Sequence, residues 1–377
     1  MKKTLRYASR LIEFDTVSHK SNGLISRYLE MKLAKHGFVV EKVNYTDARN
    51  VKKVCLVAKK GTGQGGLAYA CHVDTVPADN WNFPKSGPFA PMVHNDRLYG
   101  RGSCDMKGSI ACMLSAAQVF DWEQLKRPLY FICTADEEVG FHGARAVVAE
   151  SEFYKEMVEH QTKCIIGEPT GLEVVHGHKG SYVITAVSIG KEAHSSSREG
   201  KNANLAMIPF LNQMLALYDL TERDAKWHDT NFDPPTLSMN IGIRDNATAL
   251  NVKVGRSTAT IYLRPMPNID VEPILKRVQQ IAEHQSLELT IRRACEPFWK
   301  NPSSEFVQQT LKLLHRSQSK TVSYATDAGV FVGLTNKIIL GPGNIAQAHT
   351  SDEWISLDQL NRGAETYAKM IQLWCCE

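Results

Sequence analysis

Apolar residues recur along the first 170 positions in two alternating patterns, one typical of helices and one typical of strands. Helical spacing runs from Leu5 to Ile12 and again from Leu24 to His36. Apolar runs predict strands in VCLVAKK, LAYACHVDTV and PLYFICTA, and an Ala- and Met-rich helical segment follows Asp105. Helices and strands that alternate in this way predict an α/β fold with a largely parallel or mixed sheet.

The pattern changes between Gly180 and about Arg293. The segments there predict strand, helix, two strands, helix and strand, in the order SYVITAVSIG, Ala203–Leu220, PTLSMNIGI, STATIYLRP, Val271–His284 and LELTIRR. This βαββαβ order is typical of a ferredoxin-like unit. A helix at about Phe306–Arg316, the strand KIILGPG and a closing helix at Leu357–Leu373 follow. We therefore predict a first domain of residues 1–178 and 295–377, with residues 179–294 inserted into it as a second domain.

Composition and charge narrow the class of protein. Hydrophobic residues make up 43% of the chain and charged residues 22%, as in ordinary globular proteins. The 44 basic and 40 acidic residues are scattered, so no basic stripe predicts nucleic-acid binding. The opening MKKTLRYASRLIEF is interrupted by charges and no eighteen apolar residues run together, which predicts a cytoplasmic protein with no membrane partner. The nine cysteines form no C-x-x-C pair, which favours reduced core residues over disulfides or a thiolate zinc site.

Acidic residues and histidines gather where the predicted strands end. His72 and Asp74 follow LAYAC, Glu137 and Glu138 follow PLYFICTAD, Glu168 follows KCIIG, His349 lies after KIILGPG, and Asp105 lies in GRGSCDMKG before a helix. One such residue is usually a cap or a loop residue, but ligands collect outside the carboxyl ends of strands in open α/β sheets. Crowded carboxylates need a compensating cation, and mixed imidazole and carboxylate ligands suit zinc, cobalt or manganese. The sequence therefore predicts a cation-binding cluster.

Five segments, HVDTVP, GRGSCDMKGS, ADEEVG, GEPT and GPGNIAQAHTSDEW, resemble motifs of the M20 peptidase family, and the resemblance extends over essentially the whole chain. It implies a metal-dependent exopeptidase-like catalytic domain with an inserted ferredoxin-like lid and dimerisation domain. It also implies two divalent metal ions, Zn²⁺ or Co²⁺. By this resemblance Asp105 binds both ions, His72 and Glu168 complete one site, and Glu138 and His349 complete the other.

The resemblance also implies roles for two residues that bind no metal. Glu137 would be the general base that acts on the water, and extended backbone would turn its side chain away from that of Glu138. Asp74 lies two residues after His72, on the same face of the strand, where it would accept the second N–H of the imidazole.

Residues outside the cluster are expected to contact the substrate. KEAHSSSREGKNAN resembles the family's lid motif, whose histidine, here His194, reaches the active site across a dimer interface. The segment departs from the family's pattern because Ser197–Glu199 fill a shorter loop before Gly200, where relatives usually have a proline. Asn251 and Arg264 fall where the family has substrate contacts, the arginine pairing with a carboxylate. Thr326 and Asp327, in YATDAGVF, lie in a segment that helps to form the substrate pocket.

The resemblance implies hydrolysis of an N-acyl amino acid by a homodimer. The C-terminal motifs are most similar to the acetylornithine deacetylase branch, which implies N2-acetyl-L-ornithine as substrate, L-ornithine and acetate as products, and a role in arginine biosynthesis. Succinyl-diaminopimelate, acyl-citrulline, other acyl amino acids and peptides are alternative substrates, because the core motifs serve all of these activities. A non-catalytic metal-binding relative would have no need of Glu137. A dinucleotide-binding protein is supported only by GTGQGG at Gly61–Gly66, which opens no helix and is predicted to be a hairpin loop.

Overall fold

The computed structural model describes residues 2–377, which divide into two compact units. The first unit comprises the chain through Gly177 together with Trp299–Lys320 and Thr326–Glu377. The second comprises His178–Phe298 and Thr321–Ala325. The sequence predicts boundaries after residues 178 and 294, and it gives no sign that Thr321–Ala325 belongs to the second unit.

The chain begins with two helices and a run of strands, after which helices and strands alternate. They are α1 (Lys2–Ile12), α2 (Gly23–Lys35), β1 (Val39–Thr46), β2 (Lys52–Lys60), β3 (Leu67–His72), β4 (Met92–His94), β5 (Arg97–Tyr99), α3 (Gly108–Ala117), β6 (Leu129–Thr134), α4 (His142–Glu150), α5 (Glu152–Glu159), β7 (Lys163–Ile166) and β8 (Val175–His178). Strands β3 and β6 are buried at every position, which explains why they read as continuous apolar runs.

The second unit has the predicted ferredoxin-like order. Its elements are β9 (Ser181–Ile189), α6 (Asn204–Arg223), β10 (Asn240–Asp245), β11 (Arg256–Leu263), α7 (Glu272–His284) and β12 (Glu288–Cys295). The strands form an antiparallel sheet in the order β10-β11-β9-β12. Helix α6 buries Met207, Phe210, Met214 and Leu217, which recur at helical spacing and form the face that packs on β9 and β11.

The remaining elements follow the second unit along the chain. They are β13 (Phe298–Trp299), α8 (Glu305–Leu313), β14 (Lys320–Val322), β15 (Lys337–Ile339), β16 (Trp354–Ser356) and α9 (Leu357–Ile371). Ser356 begins α9 by accepting a hydrogen bond from the backbone N–H of Gln359, as an N-cap serine does. Strand β16 joins β5 and β4 in a small sheet that the apolar pattern does not predict, because each strand has only three residues.

The large sheet is mixed, as predicted, with the order β1-β2-β6-β3-β7-β15-β8-β13 and with β14 paired to β8. Strand β3 lies parallel to β6 and β7, and β7 lies parallel to β15. The carboxyl ends of these four strands therefore lie along one edge. Helix α3 is buried along its whole length and packs against α1, α9 and β3.

The connection between β2 and β3 is not the predicted hairpin. Strand β2 pairs antiparallel with β6, and β3 pairs with β6 on its other side. Gly61–Gly66 therefore crosses the start of β6 and does not turn back on its own strand. The prediction is wrong because a glycine-rich segment between two strands does not reveal a third strand that inserts between them from later in the chain.

Two further predictions concern the chain's general character. All nine cysteines lie within residues 2–377, and each is buried, as predicted for core residues. None of the helices described for residues 2–377 has the length and apolar character that crossing a membrane requires.

Candidate metal centre

Four strand ends of the first unit carry the residues of the predicted cluster. His72 is the last residue of β3, Glu137 and Glu138 lie in the turn after β6, and Glu168 lies two residues after β7. His349 lies in the loop that joins β15 to β16. The parallel pairing of these strands explains why residues so far apart in sequence meet at one edge of the sheet.

His72, Asp105 and Glu168 form the first group of possible metal ligands. Each offers one ligand atom, and these atoms lie within 4.8 Å of one another. His72 Nε2 lies 3.1 Å from Asp105 Oδ1 and 3.8 Å from Glu168 Oε1. All three residues are buried.

Asp105, Glu138 and His349 form the second group, again with ligand atoms within 4.8 Å of one another. His349 Nε2 lies 3.1 Å from Glu138 Oε1 and 3.3 Å from Asp105 Oδ2. The Asp105 carboxylate thus presents one oxygen to His72 and the other to His349. The His349 side chain is half exposed, which leaves this group open on one side.

The carboxylates of the cluster differ in proton affinity: against the effect of burial, hydrogen bonds with His349 and His72 hold the pKa of Asp105 below its usual value, whereas the pKa values of Glu168 and Glu138 are raised. Burial raises the pKa of Glu168 well above its usual value, and the charge of Asp105 adds to this. Burial raises the pKa of Glu138 as well. Hydrogen bonds with Asp105 and Glu138 raise the pKa of His349 to about 10. Without a metal, protons or imidazolium charges must offset this negative charge, and a bound cation would replace them.

The donor set of the two groups fits a pair of divalent metal ions. It comprises two imidazole nitrogens and three carboxylates, with Asp105 common to both groups. No thiolate belongs to either group, which distinguishes the cluster from a closed structural zinc site. Three protein ligands at each metal ion would leave a position for water or substrate, as in catalytic sites.

Glu137 and Glu138 lie in a turn, not in the extended backbone that the sequence suggests. Strand β6 ends at Thr134, and Asp136, which precedes the two glutamates, has a φ of +57°, in the left-handed region. The backbone N–H groups of Gly140 and Phe141 then donate to the carbonyls of Glu137 and Asp136, at 3.1 and 2.9 Å. Burial raises the pKa of Glu137 well above its usual value, with the charges of Glu168 and Glu138 adding to the effect.

Asp74 lies beside His72 with both its backbone carbonyl and its carboxylate. The nearest Asp74 atom to His72 Nδ1 is the backbone carbonyl oxygen, at 3.0 Å, while the carboxylate Oδ1 is 3.7 Å away. An Nδ1–H that donates to this carbonyl leaves Nε2 free to bind a metal. The carboxylate also accepts hydrogen bonds from the backbone N–H groups of Glu137 and Glu138, at 3.2 and 3.3 Å, and from the hydroxyl of Ser18 at 2.7 Å.

A buried lysine that the sequence pattern does not indicate, Lys53, contacts the same turn. Lys53 Nζ donates to Asp136 Oδ1 at 2.7 Å and to the carbonyls of Ser18 and Lys20 at 2.6 and 2.8 Å. The Tyr45 hydroxyl donates to the other Asp136 oxygen at 2.8 Å. A lysine at the start of a strand gives no indication in the sequence that it is buried. The only hint of this contact was Asp136, a third carboxylate directly before the two glutamates, which would need a partner.

The predicted lid residues lie in the second unit. His194 is exposed, and its Nδ1 lies 2.6 Å from the Ser196 hydroxyl. The backbone N–H of Ser195 donates to the carbonyl of Asn251 at 2.8 Å, which holds these two segments together. The Arg264 guanidinium lies over the ring of Tyr262, with 4.5 Å between its carbon and the ring centroid.

The shortened loop before Gly200 is closely packed within the second unit. Gly200 has a φ of +76°, and a β-carbon there would lie 2.6 Å from the Lys191 carbonyl oxygen and from the Ala193 β-carbon. Lys253 Nζ donates to the carbonyls of Ser197 and Glu199. These contacts hold the shortened loop in place, and the sequence alone does not indicate them.

Thr326 and Asp327, predicted to contact substrate, are buried in the first unit. The Thr326 hydroxyl accepts the backbone N–H of Ala328 at 3.1 Å and caps a short helical turn. Asp327 Oδ2 accepts a 2.6 Å hydrogen bond from the Thr134 hydroxyl. Burial raises the pKa of Asp327 to about 6. The contacts described for both side chains are with the protein interior, because the segment folds into the turn that precedes β15.

Comparison with known proteins gives a consistent result. The model of peptidase family M20/M25/M40 matches residues 68–373. An acetylornithine deacetylase of Vibrio atlanticus (strain LGP32) is 33% identical over 349 residues, which cover 90% of this chain and 88% of the relative. An M20 family metallo-carboxypeptidase from Sulfolobus solfataricus has a similar structure, with a TM-score of 0.77 at 17% identity over 99% of both chains.

A Bacillus subtilis structure, described as a dinuclear metal-binding peptidase of the M20 family, is also similar, with a TM-score of 0.68 at 12% identity. It covers 99% of this chain and 97% of its own. The structural similarities establish the fold, while the family model and the deacetylase similarity extend over most of the sequence. This chain therefore belongs to peptidase family M20/M25/M40, as a metal-dependent hydrolase that acts on amide bonds.

Proposed function

We propose that this chain hydrolyses N2-acetyl-L-ornithine to L-ornithine and acetate, as a step of arginine biosynthesis. The observation that carries this proposal is the 33% identity to an acetylornithine deacetylase over 88% of that enzyme's length. The cluster supports the reaction type, because two ligand groups that share a carboxylate suit hydrolysis assisted by two metal ions.

Within this proposal, His72 and Glu168 complete one metal site, Glu138 and His349 complete the other, and Asp105 belongs to both. Zn²⁺ is the proposed metal and Co²⁺ a possible replacement, since both accept mixed imidazole and carboxylate ligands. Metal ions bound there would lower the pKa of a bound water and polarise the scissile carbonyl.

Glu137 is the proposed general base. It belongs to neither ligand group but shares a turn with Glu138, and burial raises the pKa of its carboxylate. A carboxylate with raised proton affinity can take a proton from the attacking water and deliver it to the leaving amine. Asp74 supports this role by accepting the backbone N–H of Glu137 at 3.2 Å.

The second unit is proposed to supply substrate contacts. His194 would donate to the oxyanion, Asn251 would contact the substrate, and Arg264 would pair with its carboxylate. Exposed His194 and Asn251 and partly exposed Arg264 are in keeping with such contacts. The side chains of Thr326 and Asp327 are buried, and we propose that they help to shape the substrate pocket without being exposed in it.

We also propose that the chain forms a homodimer through its second unit. Helix α6 has a row of exposed apolar side chains, with Leu205 68%, Ile208 60% and Leu215 54% exposed. Strand β10 is an edge strand, and its Ile243 is 65% exposed. Asn204 donates to Asp245 at 2.9 Å, so the start of this helix lies beside the end of the edge strand. A second copy could cover both features.

A substrate panel tests the proposed specificity. Metal-reconstituted enzyme would be assayed with N2-acetylornithine, N2-acetyl-lysine, N-acetylnorvaline, succinyl-diaminopimelate and dipeptides. N-acetylnorvaline has the same chain length as acetylornithine without its amine, and acetyl-lysine has one more methylene. We expect the highest kcat/KM for acetylornithine, with a roughly 10- to 200-fold loss for the extra methylene.

Peptidase activity is the second candidate, because the similar solved structure from Sulfolobus solfataricus is a metallo-carboxypeptidase. A higher kcat/KM for dipeptides or for succinyl-diaminopimelate than for acetylornithine would contradict the proposed substrate. Equal turnover of acetylnorvaline and acetylornithine would show that the side-chain amine is not recognised.

A further inference from the structure

Glu353 is a buried carboxylate that lies outside both ligand groups. It is four residues after His349, directly before β16, and only 1% of it is exposed. A buried carboxylate is costly unless its oxygens are hydrogen-bonded or paired. Its partners therefore indicate what it stabilises.

Four donors converge on Glu353, and all four come from the segment that carries Asp105. Oε1 accepts the backbone N–H groups of Cys104 and Asp105, at 2.8 and 3.0 Å. Oε2 accepts the backbone N–H of Gly102 at 2.9 Å and the Arg101 guanidinium at 3.0 Å. An ionised carboxylate offers about four acceptor positions, so these donors saturate it.

The segment that Glu353 holds has irregular backbone. Gly102 has a φ of +81°, and Asp105 and Met106 have non-helical dihedrals just before α3. The backbone N–H groups here lack the partners that a regular helix or strand would give them. A single carboxylate supplies those partners, and it does so at the residue whose side chain reaches both His72 and His349.

The same residue also connects two ligand segments. The backbone N–H of Gly100 donates to the Glu353 carbonyl at 3.0 Å, and β16 pairs with β5 from the next residue onward. His349 and Glu353 belong to one short loop, so the position of His349 depends on where this loop is attached. The Glu353 side chain attaches it to the Asp105 segment.

We propose that Glu353 is a positioning residue that fixes Asp105, and with it His349, for metal binding. This inference rests on the proposed role of Asp105 as the ligand common to both metal sites. The role requires a carboxylate and not merely a polar side chain, because every partner is a donor. The amide of glutamine would direct its NH₂ group at two of those donors and leave them unpaired.

Glu353→Gln in the Co²⁺-loaded enzyme tests the proposal. Of the two bound Co²⁺ ions, one is expected to be held more weakly. We expect its affinity, measured by competition with a chelator, to fall about 10- to 100-fold. The visible Co²⁺ absorption should change, because the coordination geometry at Asp105 and His349 is altered. The kcat should fall while the KM stays unchanged, since Glu353 contacts no substrate in this scheme.

Tyr367→Phe is the matched control for the loss of buried hydrogen bonds. The Tyr367 hydroxyl is buried, donates to the Leu340 carbonyl at 2.9 Å and lies 2.8 Å from the Ser109 hydroxyl. None of these groups is a proposed ligand. This variant should lose stability but keep the Co²⁺ affinity and absorption of the unaltered protein.

Asp105→Asn separates failure of this inference from failure of the proposed metal sites. If Asp105→Asn weakens Co²⁺ binding while Glu353→Gln leaves affinity, absorption and kcat unchanged, the inference is overturned and the metal sites stand. If Asp105→Asn also leaves them unchanged, the proposed sites are wrong. Should Glu353→Gln not fold, Glu353→Asp carries the same test, because it keeps the charge but shortens the reach to Cys104 and Asp105. Normal Co²⁺ binding by that variant would equally overturn the proposal.

Discussion

Asp74 and Glu353 are two buried carboxylates that act on neighbouring backbone. Asp74 accepts the N–H groups of Glu137 and Glu138, and Glu353 accepts that of Asp105. Hydrogen bonds from backbone N–H to an ionised acceptor are stronger than neutral ones, so each carboxylate can hold irregular chain in one conformation. The ligand residues Asp105 and Glu138 are therefore held through their backbone N–H groups as well as by the packing of their side chains.

Glu137→Gln should separate proton transfer from metal binding. Glutamine has nearly the same shape as glutamate but cannot accept a proton at neutral pH, so we expect kcat to fall about 10²- to 10⁴-fold. Metal content should be unchanged, because Glu137 belongs to neither ligand group. Steady-state kinetics and elemental analysis of the purified variant measure the two quantities.

The neighbouring Glu138→Gln variant is the control for this test. Glu138 lies 3.1 Å from His349 and belongs to the second ligand group, so this variant should lose metal as well as activity. If Glu137→Gln retained full activity, or lost metal as Glu138→Gln does, its assignment as the base would have to be abandoned.

At the residue scale, the sequence was enough to find the residues that the structure brings into the two groups. His72 ends β3, and Glu138 and Glu168 lie within four residues of the ends of β6 and β7, a placement near apolar runs that can be seen without knowing the fold. Glu353 and the carboxylate contacts of Asp74 were not predictable. Most of their partners are backbone N–H groups, whose directions depend on turn conformations that side-chain identity does not encode.

At the element scale, the connection between β2 and β3 shows where local pattern fails. The glycine-rich segment predicts a hairpin, whereas β6 pairs between the two strands. Strand existence follows from apolar runs of the right length, but strand order depends on pairings between distant segments. Because β3, β6 and the helix α9 have long apolar patterns, they were predicted correctly. The strands β4, β5 and β16 have only three residues each and were not predicted.

Gly66 should be essential to that connection, and Gly65 should not. Both have positive φ, at +78° and +73°, so alanine at either costs about 1–2 kcal/mol from the left-handed conformation. A β-carbon on Gly66 would also lie 2.0 Å from the Pro128 carbonyl oxygen, while one on Gly65 has its nearest neighbour, the His160 carbonyl oxygen, at 3.8 Å. Relief of this clash requires backbone movement that adds about 1–3 kcal/mol.

Urea unfolding followed by circular dichroism compares the two variants. We expect Gly66→Ala to lower the free energy of unfolding clearly more than Gly65→Ala. Equal losses would mean that the segment does not lie against the start of β6 as described.

At the scale of the whole molecule, the chain leaves the first unit and returns to it. The sequence predicts this from the ligand segments on either side of the βαββαβ region, because His72 and His349 can share a site only if the flanking parts fold together. Short segments cannot be assigned to a unit in this way. Thr321–Ala325 joins the second unit through hydrogen bonds from Thr321 and Ser323 to the carbonyls of Asn231 and Asp233, which no sequence pattern announces.

The proposed dimer makes a prediction for the whole molecule. Sedimentation velocity should give the mass of two chains for the unaltered protein and of one chain for Ile208→Lys/Leu215→Lys. These two residues are a helical repeat apart on the exposed face of α6, and burying such side chains contributes roughly 1.5–3 kcal/mol each. Val39→Lys/Val119→Lys is the matched control, because these valines of the first unit are 67% and 66% exposed and should not affect association. A monomeric unaltered protein, or dissociation by the control substitutions alone, would contradict a dimer formed through the second unit.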